Sequence, residues 1–211
     1  MQHWGKEILF SRRGLIAGAA GLIVARSAHA ALVATPAQTS GPFYPRIKPL
    51  DSDTDLTLLK GASGPAQGTV IDVSGRVLSL KGHAVRDAVV EIWQADAFGR
   101  YNHPGDDPRG RDPNFQGYGA VKTTADGGFR FRTIRPRHYG SGSWVRTPHL
   151  HFRVIGAGSR ELVTQMYFPG EPMNTDDFIY RGLASDAVRQ AATAVQATGE
   201  IPNYRYDIVL A

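Results

Sequence analysis

The chain has 211 residues, 42% apolar and 20% charged, which is enough for one domain with a sizeable core. It has no cysteine, and this excludes disulfides, thiolate metal sites and cysteine nucleophiles. The net charge of +5 does not point to nucleic acid: Lys6, Arg12, Arg13 and Arg26 against Glu7 put +3 of it into residues 1–30, and no basic stripe interleaved with aromatics follows.

Residues 1–30 read as a twin-arginine signal peptide. Arg12-Arg13 precede an apolar run from Leu15 to Ala25, and Ala28-His29-Ala30 has small residues where a signal peptidase reads. The run is shorter than the roughly 20 residues of a spanning helix. The expectation is a mature chain starting near Ala31, periplasmic or secreted, with no stable membrane insertion once the signal is removed. The twin-arginine route carries folded proteins, which suits an enzyme loaded with a metal before export.

Residues 31–68 are rich in Pro, Gly, Ser and Thr and predict an extended arm. Residues 69–211 predict the folded domain. Thr69 to Leu80 alternates, with a turn expected around Ser74-Gly75. Ala88 to Trp93 is strongly β-prone. Gly119–Thr123 and Gly128–Thr133 flank Ala125-Asp126-Gly127, a hairpin signal. Asn102–Gln116 is polar and turn-rich and predicts a long loop. His149 to Ile155 alternates strictly, Leu162 to Phe168 is a further strand, and Tyr204 to Leu210 closes the chain. One helix is expected from Ser185 to Thr198, capped by Ser185 and stopped by Gly199. The fold class is all-β: a β-sandwich of mainly antiparallel strands with one short C-terminal helix and an extended N-terminal arm.

Chemistry starts at His149-Leu150-His151. Residues two apart on a strand face the same side, so both imidazoles point one way while Leu150, Phe152 and Val154 point into the core. Such a pair makes half of a metal site, although paired surface histidines on strands are also common. Taken alone, Tyr101 and Tyr139 read as amphipathic core or rim residues.

The ordered strings go further. They run Ala88 to Tyr101, Asp112-Pro113-Asn114-Phe115, Phe131 to Pro136, Arg146-Thr147-Pro148-His149-Leu150-His151-Phe152, Leu162 to Phe168 and Tyr204 to Leu210, with Gln38 to Tyr44 in the arm. Together they resemble the intradiol ring-cleavage dioxygenases over nearly the whole mature chain, nearest to the iron-bearing β subunits that act on protocatechuate. The resemblance implies an Fe(3+) site held by Tyr101, Tyr139, His149 and His151. It implies a substrate-facing arginine at Arg146, a pocket glutamine at Gln165, and a second part for Tyr139 as a local base. The implied reaction is cleavage of a small aromatic diol by O2 between its hydroxylated carbons, giving a muconate-type diacid. The implied assembly is a homo- or hetero-oligomer.

The donor set suits that chemistry. Phenolate oxygen is a strong donor to a hard ferric ion, whereas ferrous oxygen-activating sites more often use two histidines and a carboxylate. One departure is the short, Gly/Ser-rich stretch between Tyr139 and His149, which bears on pocket shape. Two alternatives stay open: a secreted β-sandwich binding module without redox chemistry, and a relative acting on catechol or hydroxyquinol.

Overall fold

Strand pairing follows the hydrophobic pattern. The computed structural model describes Met1 and residues 32–141, 144–156 and 161–211; apart from Met1, the segment read as an export signal lies outside the described residues. Two sheets pack face to face. One is built on the long strand β1 (Val70–Ser79), paired antiparallel with β4 (Gly128–Ile134). On its other edge β1 takes two short parallel strands in succession, β10 (Asn203–Arg205) and β11 (Ile208–Leu210), and β9 (Val195–Ala197) extends β10. The other sheet is antiparallel, in the order β3 (Tyr118–Lys122), β2 (Val89–Trp93), β7 (His149–Ile155) and β8 (Leu162–Tyr167). A small ribbon of β5 (Tyr139–Ser141) and β6 (Trp144–Arg146) stands apart.

The core lies between the sheets. Ile71, Val73, Val77 and Phe131 face Val90, Ile92, Leu150, Phe152, Val154 and Met166, all fully buried. Each such side chain contributes roughly 1.5–3 kcal/mol by leaving water. Because side chains alternate, the same register turns Trp93, His149, His151 and Gln165 to the outer face of the second sheet. There Trp93 lies opposite His151, and His151 opposite Gln165.

That outer face is roofed by the arm. From Leu32 to Gly68 the arm forms no helix or strand of its own, yet its backbone bonds to four strands. Thr35 N–H donates to Val209 O (3.0 Å) and Gln38 N–H to Val163 O (2.8 Å). Ser52 O accepts from Ala120 N–H (2.9 Å), and Thr54 O accepts from Arg132 N–H (2.8 Å). Edge groups that would otherwise stand open are thereby satisfied.

Three expectations need correction. No turn interrupts β1 at Ser74-Gly75. The glycine is needed there because the Tyr206 carbonyl crosses so closely that a Cβ would lie 1.9 Å from its oxygen. Gly75→Ala is therefore expected to destabilise the fold by about 3 kcal/mol, the upper range for overpacking, as read by chemical denaturation. The turn at Ala125-Asp126-Gly127 forms, but it joins the two sheets rather than one hairpin: β3 pairs with β2 and β4 with β1. The C-terminal helix is shorter than expected and has a companion. Ser185 does cap it, accepting from Val188 N–H, but α2 covers only Asp186–Ala191 and is preceded by a one-turn α1 (Phe178–Arg181). The chain leaves the helical path because the end of β8 captures it. Tyr167 N–H donates to Ala192 O (2.9 Å) and Ala194 N–H donates to Tyr167 O (3.0 Å). No helix among the described residues is long and apolar enough to cross a membrane.

Candidate metal centre

The strand alternation at His149 and His151 brings their Nε2 atoms to 3.2 Å, with both rings buried. His149 Nδ1 lies 2.6 Å from Thr147 O. A carbonyl only accepts, so His149 carries its proton on Nδ1 and presents the lone pair of Nε2 towards His151. His151 has no such partner, and its Nδ1 is buried without a hydrogen bond. Its ring is held by stacking on Trp93, at 4.8 Å between centroids and 10° between planes. The arm lies directly over it. Gly41, in the left-handed region at φ +66°, approaches so closely that a Cβ there would sit 3.5 Å from His151 Cε1.

Two phenols complete the cluster. Tyr101 enters from the turn after β2, where Asp96 accepts from the Phe98 and Arg100 N–H groups and Asp106 accepts from the Tyr101 N–H. Tyr139 begins β5. Their rings stand perpendicular at 5.4 Å, and Tyr139 lies 5.7 Å from the His149 ring while Tyr101 lies 6.3 Å from that of His151. The two tyrosines differ in burial. Tyr101 is 3% exposed and its hydroxyl has no hydrogen-bond partner, whereas Tyr139 is only half-buried. Phe43 of the arm stacks on Tyr101 at 4.6 Å and meets Tyr139 edge-on.

Burial sets the charge state of this cluster. It pushes His149 down to about 3 and His151 well below the usual imidazole range. It pushes the Tyr101 and Tyr139 phenols up, with Tyr139 adding to the rise at Tyr101 and Arg146 opposing the rise at Tyr139. Without a metal the four groups are neutral.

Arg146 and Gln165 form the adjoining wall. Arg146 is 3% exposed, pairs with Asp177 (Nε–Oδ2 2.8 Å), and donates through Nη2 to Gln165 Oε1 at 2.6 Å. Gln165 Nε2 donates to Thr39 O of the arm (2.9 Å). Gln165 is thus a satisfied buried amide that also fixes the arginine. Asp177 was not read from the sequence. Its only signal was an acidic residue just before Phe178-Ile179-Tyr180, the pattern of a helix cap. His103 accepts from Gly105 N–H and meets Phe43 edge-on, as a loop residue.

The residues fit a hard metal ion. Among the described residues no three His, Asp or Glu side chains gather, so a site here must draw on the phenols. A buried phenol hydroxyl without a partner is a costly arrangement for a site that binds nothing. A cation bound by the phenol oxygens and the imidazole lone pairs would remove that cost.

Known proteins share this arrangement of chain. A dioxygenase family model matches residues 39–211. The protocatechuate 3,4-dioxygenase beta chain of Burkholderia cepacia is 42% identical over 175 residues, 78% of this chain and 73% of that one. Catechol 1,2-dioxygenase of Acinetobacter baylyi and hydroxyquinol 1,2-dioxygenase of Nocardioides simplex are 30% and 31% identical; each match takes in 84% of this chain but only 62% and 65% of the relative. Among solved structures, the dioxygenase domain of a dioxygenase carbohydrate-binding protein fusion from Streptomyces sp. SirexAA-E superposes with a TM-score of 0.65 at 30% identity, covering 84% of this chain and 98% of that domain. The fold, the match along most of the chain and this level of identity together make the protein a member of the intradiol ring-cleavage dioxygenase family of non-haem iron enzymes that act on catechol-type aromatics.

Proposed function

We propose that Tyr101, Tyr139, His149 and His151 hold one iron(III), and that the enzyme uses it with O2 to cleave a protocatechuate-like diol between its hydroxylated carbons. The observation that carries this reading is the convergence of two phenols and two neutral imidazoles beneath the arm, with no carboxylate joining the imidazoles among the described residues. The 42% identity over 175 residues to a protocatechuate 3,4-dioxygenase beta chain favours that substrate over catechol or hydroxyquinol, whose enzymes match at 30–31% over most of this chain or at 38% over 122 residues. The same relative, being one chain of a protein that is named by chains, supports assembly with further subunits.

The bound ferric ion supplies the Lewis acid that makes an aromatic diol reactive towards O2. The protein's own groups do the rest. Tyr139, the less buried phenol, would act as the local base, its oxygen, once ionised by the cation, taking the proton of an incoming diol hydroxyl, while Tyr101 stays locked under Phe43. Arg146 offers a fixed cation for negative charge developing on the ring. The arm excludes water by laying Gly41 and Phe43 over His151 and Tyr101.

Oxygen uptake by iron-loaded protein across a panel of catechols, with product identification, tests the reading. The muconate-type diacid is the expected product; cleavage outside the two hydroxylated carbons defeats it. A colourless protein that binds no iron supports the binding-module alternative instead.

Burial of the histidines also predicts a pH effect on the metal-free protein. Their folded-state pKa values lie below the unfolded value of about 6.5. Above that pH neither state binds the protons and nothing changes. Below it the unfolded chain takes up protons that the folded one refuses. Stability is then expected to fall by roughly 1.4 kcal/mol per pH unit for each histidine. Denaturant titrations of metal-free protein at pH 7 and pH 5 measure it.

A further inference from the structure

Asp177 lies outside the four-residue cluster, is fully buried, and its carboxylate is saturated. Oδ2 accepts from Arg146 Nε at 2.8 Å and from Thr147 N–H at 2.9 Å. Oδ1 accepts from the first N–H groups of α1, Ile179 at 2.9 Å and Tyr180 at 3.0 Å. One carboxylate therefore ties three things to a single point: the β6–β7 turn, the start of α1, and the guanidinium.

The consequence falls on Arg146. A guanidinium has five N–H donors in one plane. Asp177 takes Nε and Gln165 takes one Nη2 hydrogen. Two anchors on separate atoms fix both the position and the rotation of the plane. Gln165 alone would leave rotation about the Nη2 contact free. Arg146 stands opposite Tyr139 in the β5–β6 register, so the direction of its remaining N–H groups bears on the four-residue cluster itself. The Gln165 amide nitrogen is in turn held by one backbone group of the arm, Thr39 O, while Asp177 is held by three backbone N–H groups, which makes it the stiffer anchor.

We propose that Asp177 is a positioning residue for ring cleavage, acting through Arg146 by holding its guanidinium in the one orientation that faces the substrate. The inference rests on the ring-cleavage reading. Its signature is loss of turnover without loss of substrate binding, because a misaimed cation fails where charge develops rather than where the diol binds.

A double-mutant cycle on iron-loaded full-length protein tests it, with kcat expressed per bound iron and KM measured for the best catechol of the panel. Asp177→Asn is expected to lower kcat about 100-fold, the order found when a reacting group is misplaced by an ångström, with KM little changed. In an Arg146→Met background the same substitution is expected to cost nothing further. An equal loss in both backgrounds would mean that Asp177 only supports the fold, and an unchanged kcat in the single variant would equally overturn the proposal. If Asp177→Asn alone does not fold, R146M/D177N is compared with R146M: equal turnover supports the proposal and lower turnover refutes it. A wild-type enzyme that cleaves no catechol defeats the underlying reading instead, so the two failures are told apart.

Discussion

Tyr101→Phe is expected to abolish iron binding and ring cleavage while making the metal-free protein more stable. The Tyr101 hydroxyl is buried without a hydrogen-bond partner, and its ring packs against Phe43 and Tyr139. Removing the hydroxyl keeps the packing and deletes an unsatisfied polar group, which is worth about 1–3 kcal/mol. The same deletion takes away a proposed metal ligand. Activity should fall further than the roughly 10–100-fold typical when a group merely supporting a ligand is lost. His149→Ala should remove iron as completely, but without the gain in stability, because it leaves the Thr147 carbonyl short of its 2.6 Å partner. Iron content after dialysis, paired with denaturation of the metal-free proteins, separates the two effects. A Tyr101→Phe protein that retains iron and turns over normally would remove Tyr101 from the site.

Arg146→Met is expected to lower kcat by about 10²–10³, the scale seen when one preorganised group facing developing charge is removed. It should also cost about 3–5 kcal/mol of stability, because Asp177 is left as an unpaired buried charge. Asp177 is an acid whose own burial raises its pKa, yet Arg146 and the backbone N–H groups of Tyr180 and Thr147 hold the carboxyl below the usual carboxylate range. The two losses separate in R146M/D177N, where no lone charge remains. That protein should recover most of the stability and none of the turnover. Steady-state kinetics on samples matched for iron content, with thermal melts alongside, measure both.

The legible part of the protein was the part written in local pattern. Strict alternation from His149 to Ile155 placed both imidazoles on the outer face and Leu150, Phe152 and Val154 in the core, as the structure has them. Ser185 was readable as a cap because its hydroxyl acts on the next turn. What failed depended on distant chain. Gly75 reads as a turn residue because nothing local reveals that the Tyr206 carbonyl, over 100 residues later, crosses it. The expected helix ended early because β8 takes the backbone of Ala192 and Ala194. The turn at Ala125-Asp126-Gly127 was readable, but nothing local tells whether its strands share a sheet. Tyr101 and Tyr139 could be singled out only through family resemblance, since periodicity gives a tyrosine no reason to leave the core. Asp177 is legible only as a cap over Ile179 and Tyr180, because its other partners, Arg146 and Thr147, lie some 30 residues earlier.

The central claim is most directly tested by the visible absorption spectrum of protein loaded with ferric ion and freed of excess metal. One iron per chain with an intense red-brown tyrosinate-to-iron band, weakened or lost in Tyr101→Phe and in Tyr139→Phe, is the predicted result. Stoichiometric iron without that band, or a band untouched by both substitutions, would contradict it.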